Sequence, residues 1–567
     1  MVNFNDRYRN NKRRWLLYIT GFIAVLAIVI IGVFYTAKPY LDSFLKKEMA
    51  RHSISAETSE TSIMGKINLT NVIVPAPKGV SLRIGAVSGR PPISFIPGAF
   101  TLYNVDLRYN NIHLQIPRVS ISDISLKAKN TAIPSRLLQS LMRIDIESIV
   151  ASDILLSVKN ENKPTEKVDI KNFKLTDLRN GRIRSIDIKN ISTKTDSATV
   201  TKDSTKQAYL LLESGAVKVR NIDLGYAYSI IFGKNPTDNR SETITGPIAL
   251  ENVTLNIFGE TEKKSSFSLG KLQTSGLKMK PFKQNLKQLI QTYLDAKNSN
   301  NRVAEKTVQN AIIVNILSAI TSIDAQIDKA IIDTPKLKTT LESFQLQPSQ
   351  WQQSVPEKLL ISFSSLSISP KELEKHDLDL LKDMNLESFD FSGKVDIAYN
   401  EKKRTLFLNT ISFGVRDVGS GEVSAKIINV DEALFSGQKD AIAATTQNLG
   451  VTEIDIRYTD AGFIDKLFSY FAKNLTDNKH DLKKELYDDF YLIMTQSPSI
   501  LLKDHAEAEE VAKSFGDFAQ NPQTLTIKIR AKDDKGLTAA DLETALQRDL
   551  SAALKKVNLI VKNEVIH

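Results

Sequence analysis

The chain contains six histidines, at positions 52, 113, 376, 480, 505 and 567, and their surroundings are the first place to look for chemistry. None stands in a His-Glu-x-x-His frame and no two lie four residues apart, so a helical zinc-hydrolase arrangement is not encoded. His480 is followed by Asp481, Glu485, Asp488 and Asp489, which could approach a cation but read as the charged, solvated face of a helix. His376-Asp-Leu-Asp379 reads the same way. Ser43-Phe-Leu-Lys46 has Ser-x-x-Lys spacing without any companion motif. Gly270-Lys271 precedes Leu272 and lacks the first glycine of a phosphate loop, and Gly419-Ser-Gly421 lacks the third glycine of a dinucleotide turn. No Gly-x-Ser-x-Gly elbow occurs. Asp533-Asp-Lys-Gly536 starts like a calcium loop but has no closing Glu. With no cysteine at all, disulfides, thiolate nucleophiles and Cys-ligated metal clusters are excluded. The expectation is a chain with no catalytic residue, no metal and no cofactor: not an enzyme.

The elements that would carry any site begin with an uncharged stretch, Trp15 to Ala37, preceded by Arg7, Arg9, Lys12, Arg13 and Arg14. As a helix, its Leu16–Tyr35 core would be about 30 Å long, enough for a bilayer. Trp15 and Tyr18 at one end and Tyr35 at the other suit the headgroup level, and the cations, Arg13 and Arg14 nearest, place the N-terminus in the cytoplasm. The reading is an uncleaved membrane anchor. A cleaved signal peptide competes, but its apolar region would be unusually long and Tyr35-Thr-Ala37 is a poor cleavage site.

The remaining chain is ordinary for a folded protein, with 42% hydrophobic and 25% charged residues. Its formal charge of +10 is spread among interleaved acids and bases, which argues against nucleic acid as a partner. From Ile67 onward one pattern returns: apolar-x-apolar-x-x-apolar-x-apolar. Instances include Ile67, Leu69, Val72, Val74, then Leu102, Val105, Leu107, then Ile170, Phe173, then Val219, Ile222, then Leu250, Val253, Leu255, and later Leu406, Leu408, Ile411, Phe413. Alternation points side chains to one face of a strand, and the double step breaks it. A bulge or tight corner restores it, and Asn tolerates the left-handed backbone such corners need. Asn71, Asn104, Asn172, Asn221 and Asn252 fill that slot.

Two helical inserts interrupt these strands. The first is expected from Phe282 to about Ala330, broken at Asn298–Asn301, with Val314, Leu317, Ile320, Ile323, Ile327 and Ile331 as its stripe. The second is expected from Ala461 to about Thr495, with Phe463, Leu467, Tyr470 and Phe471 on one face. Both stripes read as packing on a sheet. A helix near 506–518, a strand at 524–529, a helix at 539–555 capped by Thr538, and a strand at 557–561 close the chain.

The fold class read from this is membrane-anchored and mainly β: a repetitive, elongated, twisted antiparallel structure with two helical-hairpin inserts and a small β-α-β C-terminal cap. Its divisions are a basic tail (1–14), a transmembrane helix (15–37), a stalk (38–65), a first β-repeat region ending in a helical hairpin (66–335), a second β region with its hairpin (336–500) and the cap (501–567).

Leu102-Tyr-Asn-Val105-Asp-Leu107, Val219-Arg-Asn-Ile222-Asp-Leu224 and Leu250-Glu-Asn-Val253-Thr-Leu255, behind a basic head and one span, resemble the AsmA-like envelope proteins of diderm bacteria. Ile454-Asp-Ile-Arg-Tyr-Thr-Asp-Ala-Gly462 before a helix resembles uncharacterised single-span alphaproteobacterial envelope proteins and the YdgA-like group. The resemblance implies an inner-membrane protein with its bulk in the periplasm. It also implies an apolar β groove for phospholipid acyl chains, lined by Leu102, Val105, Leu107, Ile170, Phe173, Val219, Ile222, Leu250, Val253 and Leu255. The competing reading is a scaffold that binds other envelope proteins or cell wall.

Overall fold

The structure is a computed structural model that describes residues 49–564, except 52, 62–65, 75–79, 93–96, 127–141, 143, 161–162, 202–203, 233–240, 259–262, 300, 353–354, 372–387, 436–438, 476–478, 503–506 and 548–552. The expected membrane anchor, with Arg13, Arg14, Trp15, Tyr18 and Tyr35, lies outside the described residues. Among the described residues no helix is long and apolar enough to cross a membrane.

Strands dominate. They run β1 (Thr58–Thr61), β2 (Ile67–Val74), β3 (Val80–Arg90), β4 (Gly98–Tyr109), β5 (Ile112–Leu126), β6 (Ile144–Ser152), β7 (Ile154–Asn160), β8 (Lys163–Lys171), β9 (Phe173–Arg179), β10 (Arg182–Ile188), β11 (Asn190–Thr201), β12 (Ser204–Ser214) and β13 (Val217–Asp223). Helix α1 (Leu224–Phe232) follows, then β14 (Glu242–Thr245), β15 (Ile248–Phe258), β16 (Lys263–Thr274) and β17 (Leu277–Met279). Next come α2 (Leu286–Asn298), α3 (Arg302–Ala319), β18 (Ile320–Ile323), β19 (Ala325–Asp333), β20 (Leu337–Gln352), β21 (Val355–Pro370), β22 (Phe389–Asn400), β23 (Thr405–Val415) and β24 (Gly419–Ile428). The chain ends with α4 (Lys439–Thr446), β25 (Gly450–Asp460), α5 (Phe463–Leu475), α6 (Lys479–Leu502), α7 (Ala508–Gln520), β26 (Thr524–Ala531), β27 (Leu537–Thr538), α8 (Ala539–Gln547) and β28 (Val557–Glu564). The chain divides into two compact units: residues up to Lys264 with Gly276–Ile312, and Ser265–Ser275 with Ile313 onward.

In the first unit the broken alternation has a clear cause. Asn71, Asn104, Asn172, Asn221 and Asn252 all have φ between 47° and 53°, the left-handed region expected of them. Such a residue turns the strand by one side-chain step, so apolar residues three apart both face inward. Leu69 and Val72, Leu102 and Val105, and Ile121 and Ile124 are all buried for this reason. The pairing, however, differs from a simple bulge. Register is unbroken across Asn71 and Asn104, because the facing strands take the same step at the same level. Gly85, which lies between them, has no side chain to collide; an added Cβ would meet Asn104 Cβ at 3.0 Å.

These steps line up into seams that cross the strands. One joins Asn71, Gly85, Asn104, Pro117 and Asp153, the last with φ 54°. Another joins Asp123, Glu147, Asp177, Arg184, Asn221 and Gly246, with positive φ at Asp123, Asp177 and Asn221. Left-handed residues thus fall on every second strand of that seam. Asp177 is held by Arg179 at 2.5 Å and Arg184 at 2.6 Å, and the Asp123 carboxylate beside Glu147 holds the Glu147 carboxyl above its usual range. A true extra residue occurs where Ser122 and Asp123 face the single residue Ala99. Inside these strands one cluster of packed side chains fills the space, with Leu82, Leu102 and Ile124 fully buried.

In the second unit the seam recurs: Gly270, Lys329, Glu342 and Ser365 share one level, with Lys329 and Ser365 at φ 58° and 48°. The first helical insert ends earlier than expected. Asn301 caps α3, its Oδ1 accepting from Ala304 N at 3.1 Å, and the break at 298–301 stands, but the helix stops at Ala319. Ile320, Ile323, Ile327 and Ile331 belong to strands β18 and β19. The run Ile320-Thr-Ser-Ile323 favours a strand through its β-branched residues. Asp324, accepting from Thr274 Oγ1, Ser275 Oγ and Ser275 N at 3.0, 2.7 and 2.6 Å, then fixes the turn into β19.

The second insert and the C-terminal segment form one body. Ile464 and Phe468 of α5, Phe490, Met494 and Leu502 of α6, and Val511, Phe515 and Phe518 of α7 pack on Leu525, Ile527, Ile529, Leu559 and Val561 of β26 and β28. Helix α5 does pack on a sheet, but through Ile464 and Phe468 rather than the expected stripe of Phe463, Leu467, Tyr470 and Phe471, of which Phe471 is 38% exposed. Thr538 is the cap of α8 that was expected, accepting from Asp541 N at 3.3 Å, and Asp541 accepts in return from Thr538 N at 3.1 Å.

Candidate functional site

The second unit is a sheet with two unlike faces. Period-two alternation along β20–β28, with matched register, assembles one row from Leu346, Ile361, Val395, Ile411, Val423, Ile456, Ile527 and Val561. One residue along each strand, the opposite face carries Ser362, Lys394, Ser412, Glu422, Arg457, Thr526 and Lys562 in a parallel row. Charges on the polar face are paired: Arg530 meets both oxygens of Asp455 at 2.5 and 2.9 Å, and Arg457 meets Glu564 at 2.7 Å.

The two ends of the apolar row are treated differently. At β26 and β28 it lies under α5, α6 and α7, and Val561 is buried. From β23 to β25 it opens: Ile411, Val423 and Ile456 are 39%, 36% and 36% exposed, and Phe413 beside them is 53% exposed. Phe389, Phe391 and Phe413 stack in series, with ring centroids 5.9 and 5.5 Å apart. Gly393 leaves room for the neighbouring ring, since an added Cβ would meet Phe363 at 2.5 Å. This surface can hold an apolar, flexible ligand by contact alone, and the parallel row carrying Lys394, Glu422 and Arg457 lies on the other side of the sheet.

The groove residues read from the sequence fall into two sets. Leu102, Val105, Leu107 and Phe173 sit within the packed cluster of the first unit, and Ile170 and Ile222 are partly buried against it. Val219, Leu250, Val253 and Leu255 are half-buried on β13 and β15 and are not part of that cluster. Val395 and Val423 were not singled out from the sequence. Their strands alternate without an Asn step, so the signal was plain alternation aligned with neighbours, which only register reveals.

The chemical candidates resolve simply where they are described. His113 Nε2 lies 2.7 Å from Asp106 on adjacent strands, and Arg108 holds the same carboxylate. Glu485, Asp488 and Asp489 face solvent on α6. Asp533 accepts from Lys535 N and Gly536 N at 3.0 and 3.1 Å, so its carboxylate closes a turn. Among the described residues no group of three His, Asp or Glu side chains converges as a metal site.

A family model described as "Uncharacterized protein" matches residues 412–564. No curated protein matches the chain. The matched stretch begins within β23 and runs through β28, so it takes in the open end of the apolar row, the helices that cover the other end and the closing α-β segment. It spans well under half of the chain.

Proposed function

We propose that this chain is a non-enzymatic, membrane-tethered envelope protein that holds phospholipid acyl chains on the apolar face of β20–β25. The observation that carries the reading is the register-aligned row Leu346–Ile361–Val395–Ile411–Val423–Ile456, which is half-buried on β20–β22 and open on β23–β25. Six strands at ~4.8 Å spacing give the row about 24 Å of length. An acyl chain occupies about 15 Å, half of a ~30 Å hydrocarbon core, so the row accommodates one fully. Each methylene kept from water is worth ~0.8 kcal/mol, which makes a continuous surface effective without any polar contact. The tether is the uncharged stretch at 15–37, and the resemblance to AsmA-like proteins points to the same class of ligand and to the periplasmic side of an inner membrane.

The test compares lipid bound to the purified full-length chain with that bound to two variants. Ile411→Asp with Phe413→Asp places charge on the apolar face, and Ser412→Asp does so on the polar face of the same strand. These positions are exposed or half-exposed, so folding, followed by circular dichroism, is expected to survive in both. The apolar-face variant loses most of its extractable phospholipid and Ser412→Asp keeps it. Equal retention in the two would overturn the reading.

A further inference from the structure

Positive charge is in excess around α2. Lys278, Lys280, Lys283, Lys287, Lys297, Arg302 and Lys306 face only Asp295 and Glu305 between positions 278 and 306, so this segment carries +5 of the chain's formal +10. The helix itself is well defined. Asn285 caps it, Oδ1 accepting from Lys287 N at 3.0 Å and Gln288 N at 3.3 Å, and Ser299 N closes its end on Asp295 O at 3.0 Å.

Helical spacing sorts its residues into two stripes. Phe282, Ala296 and the half-buried Leu286, Leu289 and Tyr293 turn inward, and Tyr293 donates its hydroxyl to Glu305 at 3.1 Å. Lys287, Ile290, Leu294 and Lys297 follow one another along α2 at steps of three and four, Lys283 lies just before the cap, and all five are exposed, Ile290 and Leu294 at 40% each. Two aliphatic side chains therefore project between three lysines. Burial, and after it the neighbouring Lys283, hold the Lys280 ammonium below its usual range.

We propose that α2 is an interfacial helix that docks on an anionic phospholipid surface, with Ile290 and Leu294 entering the headgroup–acyl boundary and Lys283, Lys287 and Lys297 pairing with lipid phosphates. A long solvent-facing helix stabilised by its own ion pairs would intersperse acids with these lysines, whereas this stripe contains none. Interfacial helices combine this modest apolar stripe with flanking lysines. Polybasic attraction to anionic leaflets supplies the remainder and is lost at high salt. The surface is distinct from the acyl-holding face, and it would bring the protein to a bilayer whether or not that face holds lipid.

The chain has no cysteine of its own, so Leu294→Cys gives a unique attachment point for an environment-sensitive fluorophore. The labelled full-length protein is reconstituted into vesicles of phosphatidylcholine, with or without about a third phosphatidylglycerol. Glu509→Cys, on the exposed face of α7, serves as the control site. Docking predicts about a twofold rise in emission at position 294 in the anionic vesicles only, quenched by brominated acyl chains and reversed by raising salt to about 1 M. Adding Lys283→Glu, Lys287→Glu and Lys297→Glu should return the signal to its phosphatidylcholine value, with the circular dichroism spectrum unchanged. Equal emission in both vesicle types, or a rise that survives charge reversal, would overturn the proposal. The amount of co-purifying phospholipid should be the same with and without the three reversals, which separates this surface from the acyl-holding one.

Discussion

A single asparagine decides which way a strand faces. At φ 52°, Asn104 lets Leu102 and Val105 share the core although they are three positions apart. Replacing it with glycine keeps that backbone available, whereas valine must place a branched Cβ in the left-handed region at a cost of about 1–2 kcal/mol. Asn104→Gly should therefore unfold within about 0.5 kcal/mol of wild type and Asn104→Val at least 1 kcal/mol earlier, measured by urea denaturation. Equal destabilisation by both would show that the Asn side chain, not its backbone, makes the step. These five asparagines were legible in the sequence because a broken period leaves a slot that few residue types fill. Gly85 and Gly246 were not, since their role depends on what lies across the ladder. Lys329 and Ser365 were illegible too, because neither residue type advertises a positive φ.

Elements obey tertiary context where local patterns compete. The stripe from Val314 to Ile331 has helical spacing, yet β-branched residues and the Asp324 turn divide it between α3 and two strands. The α5–α6 pair is helical as expected, but the packed face of α5 is that of Ile464 and Phe468, one position along from the expected Phe463 and Leu467. Its contact is fixed at one exposed carboxylate: Asp465 meets Lys483 at 2.6 Å and Tyr487 Oη at 3.0 Å. The hydrogen bond from Lys483 is the main reason the Asp465 carboxyl is held below its usual range, while burial and Asp465 push the Tyr487 hydroxyl up to about 12. A carboxyl depressed in the folded state stabilises above its unfolded pKa near 3.8 and loses that contribution as pH falls through the folded value. Asp465→Asn should consequently lower the melting temperature at pH 7, with the difference from wild type closing below about pH 3. A deficit that persists undiminished at pH 2.5 would mean the loss is steric.

The whole molecule joins a filled interior in one unit to a half-open apolar face in the other. Sequence periodicity picked out apolar residues in both units, Ile411 and Phe413 among them but not Val395 or Val423, and could not tell a buried row from an open one, because exposure depends on what the remaining chain places over it. The helices cover β26 and β28 and stop; β23–β25 stay open. The most direct test of the acyl-holding account is a photoreactive amino acid at Phe413 in the full-length chain, illuminated in intact cells, with the adduct identified by mass spectrometry and Ser412 as the opposite-face control. The account predicts a phospholipid adduct at position 413 and none at position 412. A protein adduct at 413, or phospholipid captured equally from both positions, would contradict it.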